Sequence, residues 1–163
     1  RPPKCALYFW TAMEKVLKRH PQTRLWIVGN EANLGRSSER VRFLGIRRDL
    51  PEILAQTDIF AYTPYPGAGS HDLVVMEASA MGVPCVVSDV SAVHASVEQG
   101  QNGFLTPFGD VDAFAETIGR LVEDADLRAQ MGKNAVRIAQ ERFDMSRITQ
   151  RYEAVYQAVL EAY

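Results

Sequence analysis

Short apolar runs alternate along the chain with segments whose apolar residues recur every three to four positions, the joint signature of buried strands and packed helices. Leu7 to His20 places Tyr8, Trp10, Met13, Val16 and Leu17 at helical spacing, and Pro21 stops the helix. Arg24 to Val28 and Val41 to Leu44 are apolar runs closed by Gly29-Asn30 and Gly45, which predicts two strands with turns at their carboxyl ends. Glu31 to Arg40 between them is polar. Asp49 is expected to cap a short helix through Leu50, Ile53 and Leu54, with Pro51 in the first turn, where a missing amide proton costs little. Asp58 to Ala61 is the next strand.

Tyr62 to Gly69 holds two prolines and two glycines and reads as a loop. His71 to Met81 is helical, with Gly82 where a left-handed cap belongs, and Asp72 reads as its N-cap. Pro84 opens a strand over Cys85 to Val87, and Gly103 to Leu105 forms another. Asp110 begins a helix with the stripe Phe114, Ile118, Leu121 and Val122; Ala125 to Gln140 and Ser146 to Tyr163 supply two more. Few of the strands alternate apolar with polar residues, so they are expected in a parallel sheet covered on both faces. The class is α/β, three-layered, with a helical tail, and periodicity leaves the strand order open. Trp10, Trp26, Phe43 and Phe60 read as core.

Length and charge then exclude whole classes. The 163 residues suit one domain, 47% hydrophobic and 23% charged residues argue against disorder, and 18 basic against 20 acidic side chains give no global field for nucleic acid. Cys5 and Cys85 form no metal or redox pair and read as reduced thiols of a cytoplasmic protein. No run approaches the ~20 apolar residues of a membrane span, and the first residues lack a signal-cleavage pattern. His20, His71 and His94 have no ligand spacing, which predicts no metal, and neither a Walker motif nor a dinucleotide fingerprint occurs. Opening on Arg-Pro-Pro-Lys, the chain reads as a piece of something larger.

Particular residues say more. Val41-Arg-Phe-Leu-Gly45, Leu50 to Phe60, Glu77-Ala-Ser-Ala-Met-Gly-Val-Pro84, Ser88-Asp89, Gly103-Phe-Leu-Thr, Asp110, Leu127-Arg-Ala-Gln-Met-Gly132, Phe143 and Tyr152 follow one another in a fixed order. The series resembles the carboxyl-terminal half of the GT-B fold retaining glycosyltransferases, the group 1 family, over nearly all of residues 7 to 163. The resemblance implies a Rossmann-like domain, residues 1–163, truncated at its amino-terminal side, which binds a nucleoside-diphosphate sugar as donor substrate and needs no other cofactor. It also implies a missing amino-terminal GT-B domain as partner, an acceptor that the sequence leaves unidentified, and an isolated fragment without activity. The opening strand and basic, glycine-containing loop of that family have no counterpart here, and Leu7 to His20 matches the helix that follows them.

Within the resemblance, Glu77 matches a glutamate that grips the nucleotide ribose, whereas eight positions earlier the family's other glutamate is replaced by Gly69. Free backbone amides at the start of the same helix, with its dipole, suit phosphate oxygens. Gly69, Ser70, His71, Leu73 and Val74 are therefore candidate donor contacts with Glu77, and Ile46 and Arg47, in the loop near the nucleotide base, complete the set. The helix is expected to lie beneath other elements, being apolar around much of its girth. No acid, base or nucleophile is assigned. Arg36, Arg40, Arg42, Arg47 and Arg48 leave open an anionic acceptor or peripheral association with a membrane surface, against ordinary solvation. Tyr152, Tyr156, Val159 and Tyr163 make the last helix sticky. A non-catalytic nucleotide-binding or scaffold module and a nucleotide-sugar epimerase remain as alternative functions.

Overall fold

A computed structural model describes residues 4–29, 38–64 and 73–161 of the chain. The order is α1 (Lys4–Arg19), β1 (Leu25–Val28), β2 (Val41–Gly45), α2 (Leu50–Leu54), β3 (Phe60–Tyr62), α3 (Leu73–Ala80) and β4 (Cys85–Asp89). A 3-10 helix at Ser91–Ala95 follows, then β5 (Gly103–Pro107), α4 (Val111–Glu123), α5 (Ala125–Arg142) and α6 (Met145–Glu161). Each predicted element is present within a few residues. The short 3-10 helix was not predicted, since five residues are too few to show a period.

The named strands pair only in parallel, in two groups: β1 with β2, and β3 with β4 and β5. Leu25 lies opposite Val41, Phe60 opposite Cys85, and Cys85 opposite Gly103. On one face, Tyr8, Met13 and Val16 of α1 pack with Phe114, Ile118 and Leu121 of α4 over Leu25, Val41 and Val86. On the other, Leu54 of α2 and Val75 and Ala78 of α3 cover Cys85 and Val87. The domain is thus a three-layered α/β structure. Cys85, wholly buried in β4, has its thiol pushed up to about 12 by loss of solvent, which keeps it protonated and inert. The side chain of Cys5 lies outside the described residues.

Capping separates two outcomes. The Asp110 carboxylate accepts from Ala113 N at 2.9 Å and Asp124 from Leu127 N at 2.8 Å, so α4 and α5 start on side-chain caps. Asp49 stands at the N-cap of α2 without a side-chain cap bond, contrary to expectation. Its carboxylate is taken by Arg47, whose Nε donates to it at 2.8 Å, and that guanidinium holds the Asp49 carboxyl below its ordinary value. Asp72 lies outside the described residues.

The carboxyl end of α3 is fixed by two glycines. Gly82, at φ +73°, donates to Ser79 O while Val83 N reaches back to Ala78 O, a Schellman closure that favours a residue without Cβ. Gly132 of α5 lies against that turn: a Cβ there would sit 2.4 Å from the Gly82 carbonyl oxygen. Gly132→Ala is therefore expected to lower stability by about 1–3 kcal/mol, although alanine is the better helix former by ~1 kcal/mol. Urea denaturation measures this, and a stabilised variant would mean that α5 does not press on the turn.

Candidate functional site

In a parallel sheet, ligands collect at the carboxyl ends of the strands, and most of the predicted site falls on that edge. β1 runs out at Gly29 (φ 135°) and β2 at Gly45 (φ 67°), positive values that turn the chain sharply beyond the sheet. Ile46 follows Gly45 with 74% of its surface exposed. Arg47 beside it is exposed and engaged with Asp49, which fixes the guanidinium close to its own loop. α3 begins at Leu73, ten residues after Thr63, and the predicted contacts Gly69, Ser70 and His71 lie outside the described residues.

α3 carries the most informative position. Val75, Ala78 and Ser79 are buried and Val74 packs on the same cluster, so the Val74 side chain serves the core. Leu73, Glu77 and Ala80 are exposed. Spaced four and three apart, they form one open stripe along the helix. The expectation that the helix lies beneath other elements is thus corrected: one face is uncovered, and Glu77, the only charge on it, stands in the middle. Uniformly apolar composition concealed this, because a helix without polar contrast gives no sign of which face is left bare.

The remaining candidates separate by what they touch. Arg40 Nη1 donates to Leu17 O and Pro21 O, both at 3.0 Å, and so ties β2 to the end of α1. Arg42 and Arg48 are exposed, and Arg36 lies outside the described residues. His20 is buried against Gly119, 3.8 Å from Glu123. His94 Nε2 stands 2.5 Å from the Asp89 carboxylate at the carboxyl end of β4, a surface pair that sequence spacing did not single out. Among the described residues no cluster of His, Cys, Asp and Glu could hold a metal ion, and no helix is long and apolar enough to cross a membrane. The apolar tail is as expected: α6 buries nothing, and Tyr152, Tyr156 and Val159 are exposed. Tyr163 lies outside the described residues.

A cavity of about 940 Å3 lies elsewhere, between β1 and β3. Val74 and Gly29 reach its lining, whereas Glu77, Ile46 and Arg47 do not. Trp26, Phe43 and Phe60 border it and are partly buried: Phe43 and Phe60 pack against the two core clusters, whereas Trp26 joins neither, which corrects its reading as core; Trp10 is buried as expected.

Parallel strands covered on both faces, with an open helix stripe and two glycine turns at their carboxyl edge, define a Rossmann-like α/β domain, and its neighbours among solved structures are GT-B glycosyltransferases. The chain belongs to the glycosyl transferases group 1 family, whose model matches residues 1–124. It is 33% identical over 122 residues to the N-acetyl-alpha-D-glucosaminyl L-malate synthase of Bacillus anthracis, covering 75% of this chain and 32% of that enzyme. It is 29% identical to the phosphatidyl-myo-inositol mannosyltransferase of Mycolicibacterium smegmatis, covering 97% of this chain and 42% of the other. Among solved structures, Anabaena Alr3699/HepE in complex with UDP and glucose superposes with a TM-score of 0.77 at 29% identity, over 91% of this chain and 44% of that one. The same Anabaena protein has also been solved with UDP-glucose. The chain thus spans between a third and a half of the length of these relatives.

Proposed function

We propose that residues 1–163 form one domain, the donor-binding half of a retaining glycosyltransferase that moves a sugar from a nucleoside diphosphate to an acceptor. The observation that carries this reading is Glu77: a lone carboxylate on an open stripe of α3, at the ligand-collecting edge of a domain that resembles a protein solved with UDP-glucose. An ionised carboxylate accepts from both hydroxyls of a ribose at once. The amino-terminal end of α3, at Leu73 and Val74, would meet the diphosphate through its amides and dipole, together with Gly69, Ser70 and His71 just ahead of it in the sequence. Ile46 and Arg47 flank the base. The chemical contribution of this half is electrostatic: fixed donors and the helix dipole stabilise the diphosphate as its bond to the sugar breaks.

The acceptor side belongs to an amino-terminal domain of the longer protein, and the exposed apolar stripe of α6 offers one surface for it. This chain alone is inactive on that reading. Calorimetry of the full-length protein with UDP, GDP and ADP is the test, UDP coming first because of the Anabaena complexes. Saturable binding of one of the three is expected, followed by sugar transfer from the matching donor; absence of binding to all three overturns the proposal. Gly69, in place of an acidic side chain, favours a second reading, a binding module without turnover, which full-length protein that binds nucleotide and transfers nothing would support.

A further inference from the structure

We propose that Asn102-Gly103 is a concealed deamidation site, held shut by the fold and opened by unfolding, so that the unfolded chain converts itself into a form that no longer refolds.

The chemistry belongs to the pair of residues. The Gly103 backbone nitrogen attacks Cγ of the Asn102 side chain, the Cγ–Nδ2 bond breaks, and Nδ2 leaves as ammonia with the proton that the Gly103 nitrogen gives up. Water then opens the resulting cyclic imide at either carbonyl and leaves aspartate or isoaspartate. Water is consumed, ammonia is released, and a neutral amide has become a carboxylate. Glycine on the carboxyl side favours the attack most, because no Cβ shields its nitrogen or restrains its backbone. Asn102 is the only asparagine of the chain followed by glycine; Asn30, Asn33 and Asn134 precede Glu31, Leu34 and Ala135.

The fold removes each requirement of that reaction. Asn102 is fully buried, which takes its amide out of reach of the solvent base that the attack needs. Its Oδ1 accepts from Glu98 N at 2.7 Å, while Nδ2 donates to Ser96 O at 2.9 Å and to Ser79 Oγ at 3.4 Å. Ring closure requires Cγ to swing onto the next backbone nitrogen, and these three bonds tie the side chain to the preceding loop and to α3 instead. The backbone is held as well: Asn102 O accepts from Cys85 N at 3.1 Å, and Gly103 stands opposite Cys85 in the β4–β5 ladder.

Packing keeps both residues in place. A Cβ on Gly103 would run into the Cys85 carbonyl oxygen. At position 102 one small side chain must accept from one neighbour and donate to two others; an aspartate offers no donor, and an alanine leaves Glu98 N and Ser96 O without this partner. The same contacts make the product costly. Deamidation puts a carboxylate oxygen where Nδ2 stood, so a donor facing Ser96 O becomes a second acceptor on a buried charge. Isoaspartate also lengthens the backbone just ahead of β5 and draws the carbonyl of residue 102 out of line with Cys85 N. The inference stands on the packing of α3, β4 and β5 and holds whether or not a nucleotide binds.

The test holds the full-length protein folded in a mildly alkaline buffer, or unfolded in the same buffer with guanidinium chloride, and follows each asparagine by peptide mass mapping. Asn102 is expected to deamidate at least about a hundredfold more slowly in the folded protein, the protection that closure of a core segment provides. Once unfolded it should react ahead of Asn30, Asn33 and Asn134, which serve as internal references. On dilution, chains deamidated at position 102 should collect in the fraction that fails to refold. An acidic hold of equal length, which keeps the Gly103 nitrogen protonated, should leave Asn102 intact and raise the refolded yield. Asn102→Asp supplies one product directly and should lower the ratio of folded to unfolded protein by about a hundredfold, whatever the refolding yield. Similar rates in the folded and unfolded protein overturn the proposal, as does an Asn102 that stays intact through the alkaline unfolded hold. Deamidated chains that refold as well as intact ones, or an Asn102→Asp protein as stable as the parent, overturn it too.

Discussion

Glu77→Ala is expected to weaken binding of the nucleotide by roughly ten- to hundredfold, because hydrogen bonds to a charged group contribute about 1.5–3 kcal/mol. The unfolding transition should stay within about 0.5 kcal/mol of the parent, since Glu77 is exposed and alanine suits a helix interior. Separating the two quantities matters: lost affinity in a protein of unchanged stability is a direct contact, whereas joint loss is a folding defect. Glu77→Gln keeps one acceptor oxygen without the charge and should fall between the two proteins. Titration calorimetry on the full-length protein, paired with urea unfolding, gives both numbers. Affinity unchanged in the alanine variant removes Glu77 from the site, and with it the observation that carries the proposed function.

Phe114→Ala should produce the largest loss of stability, about 3–5 kcal/mol. The ring is fully buried in α4 and meets Tyr8 at 5.5 Å and Phe9 at 6.3 Å between centroids, so it joins α4 to α1 above the sheet. Tyr8 in turn donates to Asp110 O, and truncation of Phe114 loosens that contact at the start of α4 as well. In a domain of 163 residues, a loss of this size lowers Tm by on the order of 10 °C. Calorimetric scans of the two proteins check it, and a loss below about 1 kcal/mol would mean that the α1 and α4 layer collapses around the hole or never packed tightly.

How far the site could be read in advance depended on contrast. Helix α4 alternates apolar and polar residues, and its stripe of Phe114, Ile118 and Leu121 is buried as predicted. α3 has almost no contrast, so spacing could place Glu77 on a helix but not on its open face. Asn102 was missed altogether. It is fully buried, its side-chain oxygen accepting from Glu98 N at 2.7 Å and its amide donating to Ser96 O at 2.9 Å within the loop before β5, and to Ser79 Oγ of α3 at 3.4 Å. A buried asparagine has no periodic signature, because what makes it buriable is the set of partners that the fold brings round it.

From the sequence alone came the alternation of helices and strands, the parallel class, the start of a helix at Asp110 and the turn at Gly82, and an ordered motif series that pointed to the glycosyltransferase family now matched over residues 1–124. All of these rest on local spacing, which a chain carries with it wherever it folds. Tertiary structure decided the rest: that Asp49 turns to Arg47 instead of capping α2, that Glu77 faces outward, and that the sheet is divided between β1 and β3. Those outcomes depend on which surfaces meet at long range, and no window of neighbouring residues contains that information.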